Sequence, residues 1–221
     1  MNNIVLLSKP KGATSEAIRT LRTNLQFTFI DDNVKTIMVT SSMPGEGKSF
    51  ISSNLAAAFA MVNMKTLIID CDLRRGTQAK IFDLDKEKGL SNLLLDDIKN
   101  YKKYINKTEV DNLYVLKSGI VPPNPSEILG SAKNKELLEI LKEEYDLIIL
   151  DCPPIQGLPD ALILTSLCDE AIIVSAYKKT PIESLMQTKK SLEVTGIKLA
   201  GVVVNQIKRK HSSYYYNEYY K

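Results

Sequence analysis

Ser41-Ser42-Met43-Pro44-Gly45-Glu46-Gly47-Lys48-Ser49 is the stretch of this chain that decides its fold. An apolar run over residues 34–40 precedes it and predicts a strand, and apolar residues at helical spacing follow it over residues 50–63. A strand, a Gly-rich loop ending in Gly-Lys-Ser and a helix form the context of a phosphate-binding loop, or P-loop. The glycines let backbone N–H groups approach an anion, and the helix N-terminus adds the positive end of its dipole. We therefore expect the chain to bind a nucleoside triphosphate.

The residue types of this loop predict individual roles. Lys48 is expected to reach the β- and γ-phosphates, and the Ser49 hydroxyl to ligate Mg²⁺. Ser42 stands where this loop usually has its first glycine, which is tolerable if its φ is negative. Asn205 follows the last predicted strand and is either a hydrogen-bond partner of an adenine edge or an ordinary turn residue. The predicted nucleotide-binding set is Ser42, Pro44, Gly45, Glu46, Gly47, Lys48, Ser49, Phe50 and Asn205.

The rest of the chain alternates strand and helix patterns. Apolar runs predict strands over residues 66–70, 113–117, 146–151, 170–175 and 199–204, with helices over 134–144 and 182–194. Near-continuous apolar strands are buried on both faces, which predicts a doubly wound α/β fold with a mainly parallel sheet flanked by helices. In this P-loop NTPase architecture the ligand lies at the carboxyl ends of the strands. We expect one domain over residues 1–207 and a tail over 208–221.

Three aspartates fall at predicted strand ends. Asp70 and Asp72 close one strand, and Asp151 closes another. Carboxylates beside a P-loop are usual partners of Mg²⁺, and one of an Asp-x-Asp pair could instead accept a proton from an attacking hydroxyl. The alternative is that they only cap the segments that follow. Arg74 and Arg75 come next and either contact phosphate or form salt bridges.

The C-terminal tail is rich in tyrosine. Five of the chain's 10 tyrosines lie in its last eight residues, namely Tyr214, Tyr215, Tyr216, Tyr219 and Tyr220. They are either phosphoryl acceptors or a sticky segment that docks on a partner or stacks on nucleic acid.

Composition limits the remaining function classes. A net charge of +3 does not by itself indicate nucleic acid binding, and no apolar run approaches the length of a membrane span. The three cysteines, Cys71, Cys152 and Cys168, form no metal-ligand pattern and are expected to be reduced thiols.

Together these motifs resemble the bacterial tyrosine kinases (BY-kinases) of Gram-positive capsule and exopolysaccharide systems, the cytoplasmic CapB/CpsD-like proteins. Residues 41–49 are similar to that family's Walker A motif, residues 67–74 to its Walker A′ and residues 148–154 to its Walker B. Residues 121–129 and the tyrosine cluster also match recurring family segments. A predicted helix over about residues 15–30 carries the family's Glu-x-x-Arg-x-x-Arg oligomerisation motif as Glu16, Arg19 and Arg22, which share a helix face.

The resemblance implies an activity and a set of partners. It implies that each subunit of a ring uses MgATP to phosphorylate the tail of a neighbouring subunit. Asp70 would act as base and metal ligand, and Asp72 and Asp151 would complete the Mg²⁺ site. It implies a membrane adaptor that activates the kinase, a cognate tyrosine phosphatase, no nucleic acid, and a place in the cytoplasm at the inner face of the membrane.

Two other classes compete with this interpretation. A switch ATPase resembling MinD/ParA proteins shares the fold, but those proteins carry a lysine at the position of Met43. A non-catalytic nucleotide-binding scaffold is disfavoured by the presence of Lys48 and the three aspartates.

Overall fold

The structure is a computed structural model that describes residues 4–29 and 33–207. In this part of the chain seven strands form one sheet in the order β3-β4-β2-β5-β1-β6-β7. All neighbouring strands are parallel except β3, which runs antiparallel to β4. The strands are β1 Thr36–Ser41, β2 Thr66–Asp70, β3 Ile105–Lys107, β4 Leu113–Leu116, β5 Leu147–Asp151, β6 Glu170–Ala176 and β7 Lys198–Asn205. The doubly wound, mainly parallel α/β fold predicted from the sequence is confirmed.

Helices cover both faces of the sheet. Helices α1 to α3 contribute to the apolar core on one face, and α5 to α9 to the core on the other. Two short 3₁₀ helices, Ile98–Lys103 and Thr165–Leu167, also lie on the second side. The α-helices are α1 Val5–Ser8, α2 Ala13–Phe29, α3 Lys48–Ala60, α4 Gln78–Ile81, α5 Leu90–Leu95, α6 Pro125–Leu129, α7 Ala132–Glu144, α8 Asp160–Leu164 and α9 Ile182–Val194.

The central strands are buried along their whole length. Every residue of β1, β2 and β5 is buried, which explains their near-continuous apolar sequences. Alternate side chains of a strand enter opposite cores: Met38 joins one apolar cluster and Ile37 joins the other. Polar groups are therefore confined to the strand ends.

The register of the strands brings those ends together. Asp70 of β2 lies opposite Asp151 of β5, and Val39 of β1 lies opposite the same Asp151. The loop that follows β1 and the aspartates that close β2 and β5 therefore meet at one edge of the sheet.

The structure adds details that the sequence patterns lacked. The edge strand β3 was not predicted, because a short and partly exposed edge strand needs no continuous apolar run.

The three cysteines are unpaired thiols, as predicted. Within the described residues no helix has the length and apolar character needed to cross a membrane. The tail over residues 208–221 lies outside the described residues.

Helix α5 offers a matched test of core packing. Leu93 is fully buried, whereas Leu95 is 64% exposed on the same helix. Leu93→Ala should lower the free energy of unfolding by about 2–5 kcal/mol, because it removes buried methyl groups and leaves a cavity. Leu95→Ala should change it by less than about 0.5 kcal/mol. Urea unfolding followed by circular dichroism measures both, and equal losses would contradict this packing.

Candidate active site at the phosphate-binding loop

The loop between β1 and α3 has the backbone of a phosphate-binding loop. Gly45 and Gly47 adopt φ angles of +82° and +93°, which other residues rarely adopt. Ser42 is not among the residues with positive φ, so the departure from glycine there brings no strain. Gly47 immediately precedes α3, whose first residues are Lys48 and Ser49, so this loop ends at the N-terminus of a helix of 13 residues. That end carries free N–H groups and a positive dipole end.

The loop is supported from the side away from the cleft. The Glu46 carboxylate is nearly buried, and it accepts hydrogen bonds from the Met43 amide at 2.7 Å and from the Thr180 hydroxyl. The Asn205 amide donates to the Glu46 carbonyl at 3.0 Å, and Gln206 donates to the Gly45 carbonyl at 2.7 Å. The side chains of Glu46 and Asn205 thus hold the shape of the loop. Adenine recognition by Asn205 stays a prediction.

Lys48 and Asp72 form an ion pair in the cleft. The Lys48 Nζ lies 3.1 Å from an Asp72 carboxylate oxygen, and the other oxygen accepts from the Arg75 amide at 2.9 Å. Burial opposes the charge on Lys48, but the carboxylates of Asp151, Asp72 and Asp70 together raise its pKa above the ordinary value. Lys48 is therefore a firmly charged cation at the bottom of the cleft.

Asp70 and Asp151 lie beneath the loop, fully buried. Burial, reinforced by the neighbouring Asp151 charge, raises the pKa of Asp70 to about 8. Burial also raises the pKa of Asp151, against the opposing charge of Lys48. Gln78 donates a hydrogen bond to each carboxylate, from its backbone amide to Asp70 at 2.9 Å and from its side chain to Asp151 at 2.7 Å. The other oxygen of Asp151, Oδ1, is buried without a hydrogen-bond partner in the described part of the chain.

A second ion pair fixes the segment after Asp72. Arg74 donates from Nε to the fully buried Asp160 at 2.8 Å, and the Ser126 hydroxyl donates to the same carboxylate at 2.5 Å. Burial alone would raise the pKa of Asp160, but the hydrogen bonds from Arg74 and Ser126 and the arginine charge hold it below the ordinary value. This cluster joins the β2 loop to α6 and α8, and it supports the salt-bridge alternative for Arg74.

These residues border one cleft of about 620 Å³. Its loop side is lined by the predicted residues Pro44, Gly45, Gly47, Lys48, Ser49 and Phe50. Asp72 reaches the cleft, whereas Ser42, Asp70 and Asp151 lie buried behind its lining. Among residues 4–29 and 33–207 no group of three or more acidic, cysteine or histidine side chains could hold a metal by itself. The predicted aspartates are therefore neighbours without forming a closed metal cage.

Several residues of the site were missed by sequence reasoning. Gln78, Asp160, Thr180 and Gln206 belong to no motif considered above, and each acts on a residue distant in the chain. Only Asp160 could have been found from sequence, since it is an acidic residue at the start of α8, the helix that follows the Asp151 strand.

The predicted oligomerisation residues lie on α2. Glu16 and Arg19 form an ion pair within this helix, and Arg22 donates to the neighbouring Thr23 hydroxyl at 3.3 Å. Both members of the Glu16–Arg19 pair are partly exposed, so they remain accessible to a neighbouring subunit. Pairing across a subunit boundary stays a prediction, and the predicted acceptor tyrosines lie outside the described residues.

The chain is similar in sequence and fold to known proteins. A family model described as an AAA domain matches residues 34–199. The tyrosine-protein kinase YwqD of Bacillus subtilis is 39% identical over 97% of this chain and 90% of its own length. The crystal structure of the chimerical protein CapA2B2 has a TM-score of 0.90 at 37% identity, covering 95% of this chain and 92% of its own. MinD of Pyrococcus horikoshii, solved with Mg-ADP, is a more distant match with a TM-score of 0.67 at 26% identity, covering 80% and 72%.

The parallel sheet, the glycine-rich loop and the lysine at its end define a P-loop nucleoside triphosphatase fold. Within that class, the extent and identity of the matches decide the subfamily. This chain belongs to the bacterial tyrosine-protein kinases.

The two loop glycines allow a test of the loop geometry. A Cβ at Gly47 would overlap the Asn205 amide, whereas a Cβ at Gly45 would meet open space at a similar φ. Gly45→Ala should cost about 1–2 kcal/mol of local strain. Gly47→Ala should weaken nucleotide binding by at least about tenfold more than Gly45→Ala, because it also displaces the Asn205 hydrogen bond. Calorimetric titration with an ATP analogue measures this difference, and equal affinities of the two variants would contradict it.

The Arg74–Asp160 pair predicts a pH dependence of stability. Because the folded pKa of Asp160 lies below the unfolded value, its ionised form stabilises the fold above pH 3.8 and this contribution is lost as the pH falls further. Asp160→Asn should cost about 1–3 kcal/mol at neutral pH, since charged hydrogen bonds are lost. The difference between wild type and Asp160→Asn should shrink from pH 5 to pH 3 in urea unfolding (roughly the range where carboxyls protonate). A constant difference would contradict the assignment.

Proposed function

We propose that this tyrosine kinase transfers the γ-phosphoryl group of MgATP to C-terminal tyrosines of a neighbouring subunit, and that this activity regulates capsule or exopolysaccharide synthesis and export. The observation that carries the proposal is the Lys48–Asp72 pair in the P-loop cleft, above the carboxylates of Asp70 and Asp151, in a chain that ends in five clustered tyrosines.

The chemistry is an in-line displacement at phosphorus. The tyrosine oxygen forms a bond to the γ-phosphorus, the bond from that phosphorus to the bridging oxygen breaks, and ADP leaves. We propose ionised Asp70 as the base that accepts the phenolic proton. Because Asp70 lies behind the lining of the cleft, Asp72, which lines the cleft, would stand between the phenol and Asp70. Lys48 and the loop amides stabilise the negative charge on the phosphates.

The residues of the site also fit Mg²⁺. Magnesium prefers hard oxygen ligands and keeps some water, so it requires no cage of protein carboxylates. The unpartnered Oδ1 of Asp151 and the Ser49 hydroxyl offer such oxygens, and Gln78 ties the two residues together by donating to the Ser49 carbonyl at 3.2 Å and to Asp151. When bound, Mg²⁺ would neutralise phosphate charge. We propose Ser49, Asp70, Asp72 and Asp151 as its direct or water-mediated partners.

The proposed partners are those that the family resemblance implies. We propose a membrane adaptor of the polysaccharide co-polymerase type as activator, a ring of subunits before tail phosphorylation, and a cognate tyrosine phosphatase that resets the tail. Glu16, Arg19 and Arg22 of α2 are the proposed ring contacts. The kinase would then work in the cytoplasm beside the membrane, held there by the adaptor, with no nucleic acid partner.

The alternative function is a switch ATPase. The more distant match to MinD supports a common nucleotide-binding fold, and both classes would bind MgATP at this loop. Met43 stands where the switch ATPases have their additional lysine, and this favours the kinase.

Intact-mass and peptide mass spectrometry after incubation with MgATP would separate the two functions. Wild-type protein, with the adaptor's cytoplasmic segment in a parallel sample, should gain phosphate on the tail tyrosines. Lys48→Met should lower this transfer by about a hundredfold or more, because a main electrostatic partner of the phosphates is lost.

Lys135→Met removes an exposed lysine from α7 and serves as the matched control, with unchanged transfer. Circular dichroism verifies that Lys48→Met remains folded. Hydrolysis of ATP without tail phosphate, even with the adaptor segment present, would favour the switch ATPase.

A further inference from the structure

The cleft is lined by residues of a second kind besides those of the phosphate loop. Ile81, Pro154 and Leu158 supply apolar surface, and Arg74 and Arg75 supply positive charge. The phosphates of a nucleotide bound by the loop would lie toward Lys48 and Ser49, which leaves these other lining residues to contact an incoming phenol. Apolar side chains suit the face of a tyrosine ring.

The two arginines are not equivalent. Arg74 is held by Asp160 and, through a longer contact of 3.4 Å, by Ser126. Within the described residues the Arg75 side chain forms no ion pair, although its backbone amide is anchored on Asp72 at 2.9 Å. Arg75 is exposed and lines the cleft. The backbone of Arg75 is therefore held beside Asp72, while its guanidinium is available to bind a ligand.

We propose that Arg75 binds an anionic group next to the acceptor tyrosine, so that acidic neighbours select which tyrosines are phosphorylated. This inference rests on the proposed tail phosphorylation and deepens it. A guanidinium pairs with a carboxylate or a phosphate through the same planar set of donors. Arg75 is thus a specificity-determining residue for the acceptor.

The tail offers such an anion at a suitable distance. Glu218 lies within two residues of Tyr216, Tyr219 and Tyr220. Two residues of extended chain span about 7 Å, which a flexible arginine can bridge, whereas the four residues to Tyr214 span about 13 Å. Phosphate already present on a neighbouring tyrosine supplies about −1.5 to −2 charge and would serve the same subsite. Selection by Arg75 therefore favours tyrosines near Glu218 first and near phosphotyrosine later.

The test separates donor and acceptor chains. The donor is the full chain with all five tail tyrosines replaced by phenylalanine, and the acceptor is full-length Lys48→Met. Donors with Arg75 or Arg75→Gln are combined with acceptors that carry Glu218 or Glu218→Gln, and site-resolved mass spectrometry gives initial rates. Either single change should slow phosphorylation of Tyr216, Tyr219 and Tyr220 by about two- to fivefold, as expected for one exposed charge pair. The two changes together should slow it no further, and Tyr214 should be unaffected.

Two further samples complete the design. A Lys135→Gln donor loses the same charge on exposed α7 and should behave as wild type. An acceptor with Glu218→Gln and phosphate installed on Tyr219 should regain its rate on Tyr220 only with the Arg75 donor, which identifies phosphate as a second source of the anion. Without such recovery, only the carboxylate is the ligand.

The results distinguish acceptor selection by Arg75 from the tail phosphorylation on which it depends. If Arg75→Gln slows phosphorylation of every tyrosine equally, whatever residue stands at 218, Arg75 acts on the nucleotide. The proposed role in acceptor selection is then overturned. If no donor phosphorylates any tyrosine, the proposed kinase activity toward the tail fails instead.

Discussion

The parallel pairing of β2 with β5 sets Asp70 opposite Asp151, and the rest of the site depends on this register. Two carboxylates buried side by side lose solvation, and their proximity raises the pKa of Asp70 further. The fold compensates with one cation, Lys48, and one amide residue, Gln78, which donates to both carboxylates. This compensation leaves the Oδ1 atom of Asp151 without a hydrogen-bond partner among the described residues. The strand pairing thus determines both the charge and the hydrogen bonding at this edge of the sheet.

Features of the fold and the site could be predicted from sequence where a short continuous stretch of residues encodes them. The P-loop and the aspartates at strand ends are short continuous patterns, and the structure places them at one sheet edge as expected. The hydrogen bond of Gln78 to Asp151 spans 73 positions, and that of Arg74 to Asp160 spans 86. No local pattern encodes such partners, because they are set by which helices pack across the strand ends. Strand β3 was not predicted for a related reason, since a partly exposed edge strand does not require a continuous run of apolar residues.

The sequence motif predicts that Glu46 lies in the loop, but it does not predict which groups the Glu46 side chain contacts. Glu46 belongs to the predicted nucleotide-binding loop, and its carboxylate accepts hydrogen bonds from the Met43 amide and the Thr180 hydroxyl, which no sequence pattern indicated. Nucleotide binding by Glu46 stays a prediction. A loop rich in glycine has little intrinsic preference for one shape, so it needs such fixed contacts. The same fold serves tyrosine kinases and MinD-like proteins, and the loop geometry alone does not separate them. The extent and identity of the matches separate the two classes for this chain.

The end of β7 gives the phosphate loop a mechanical connection to the tail. Asn205 and Gln206 donate to the carbonyls of Glu46 and Gly45, and the tail begins at residue 208. Tension applied to the tail therefore passes through a single intervening residue, Ile207, before it acts on these two hydrogen bonds. Hydrogen bonds weaken steeply when they are lengthened or bent. A force on the chain beyond Ile207 would therefore distort the loop at Gly45 and Glu46, so the end of β7 and the shape of the nucleotide loop are mechanically coupled.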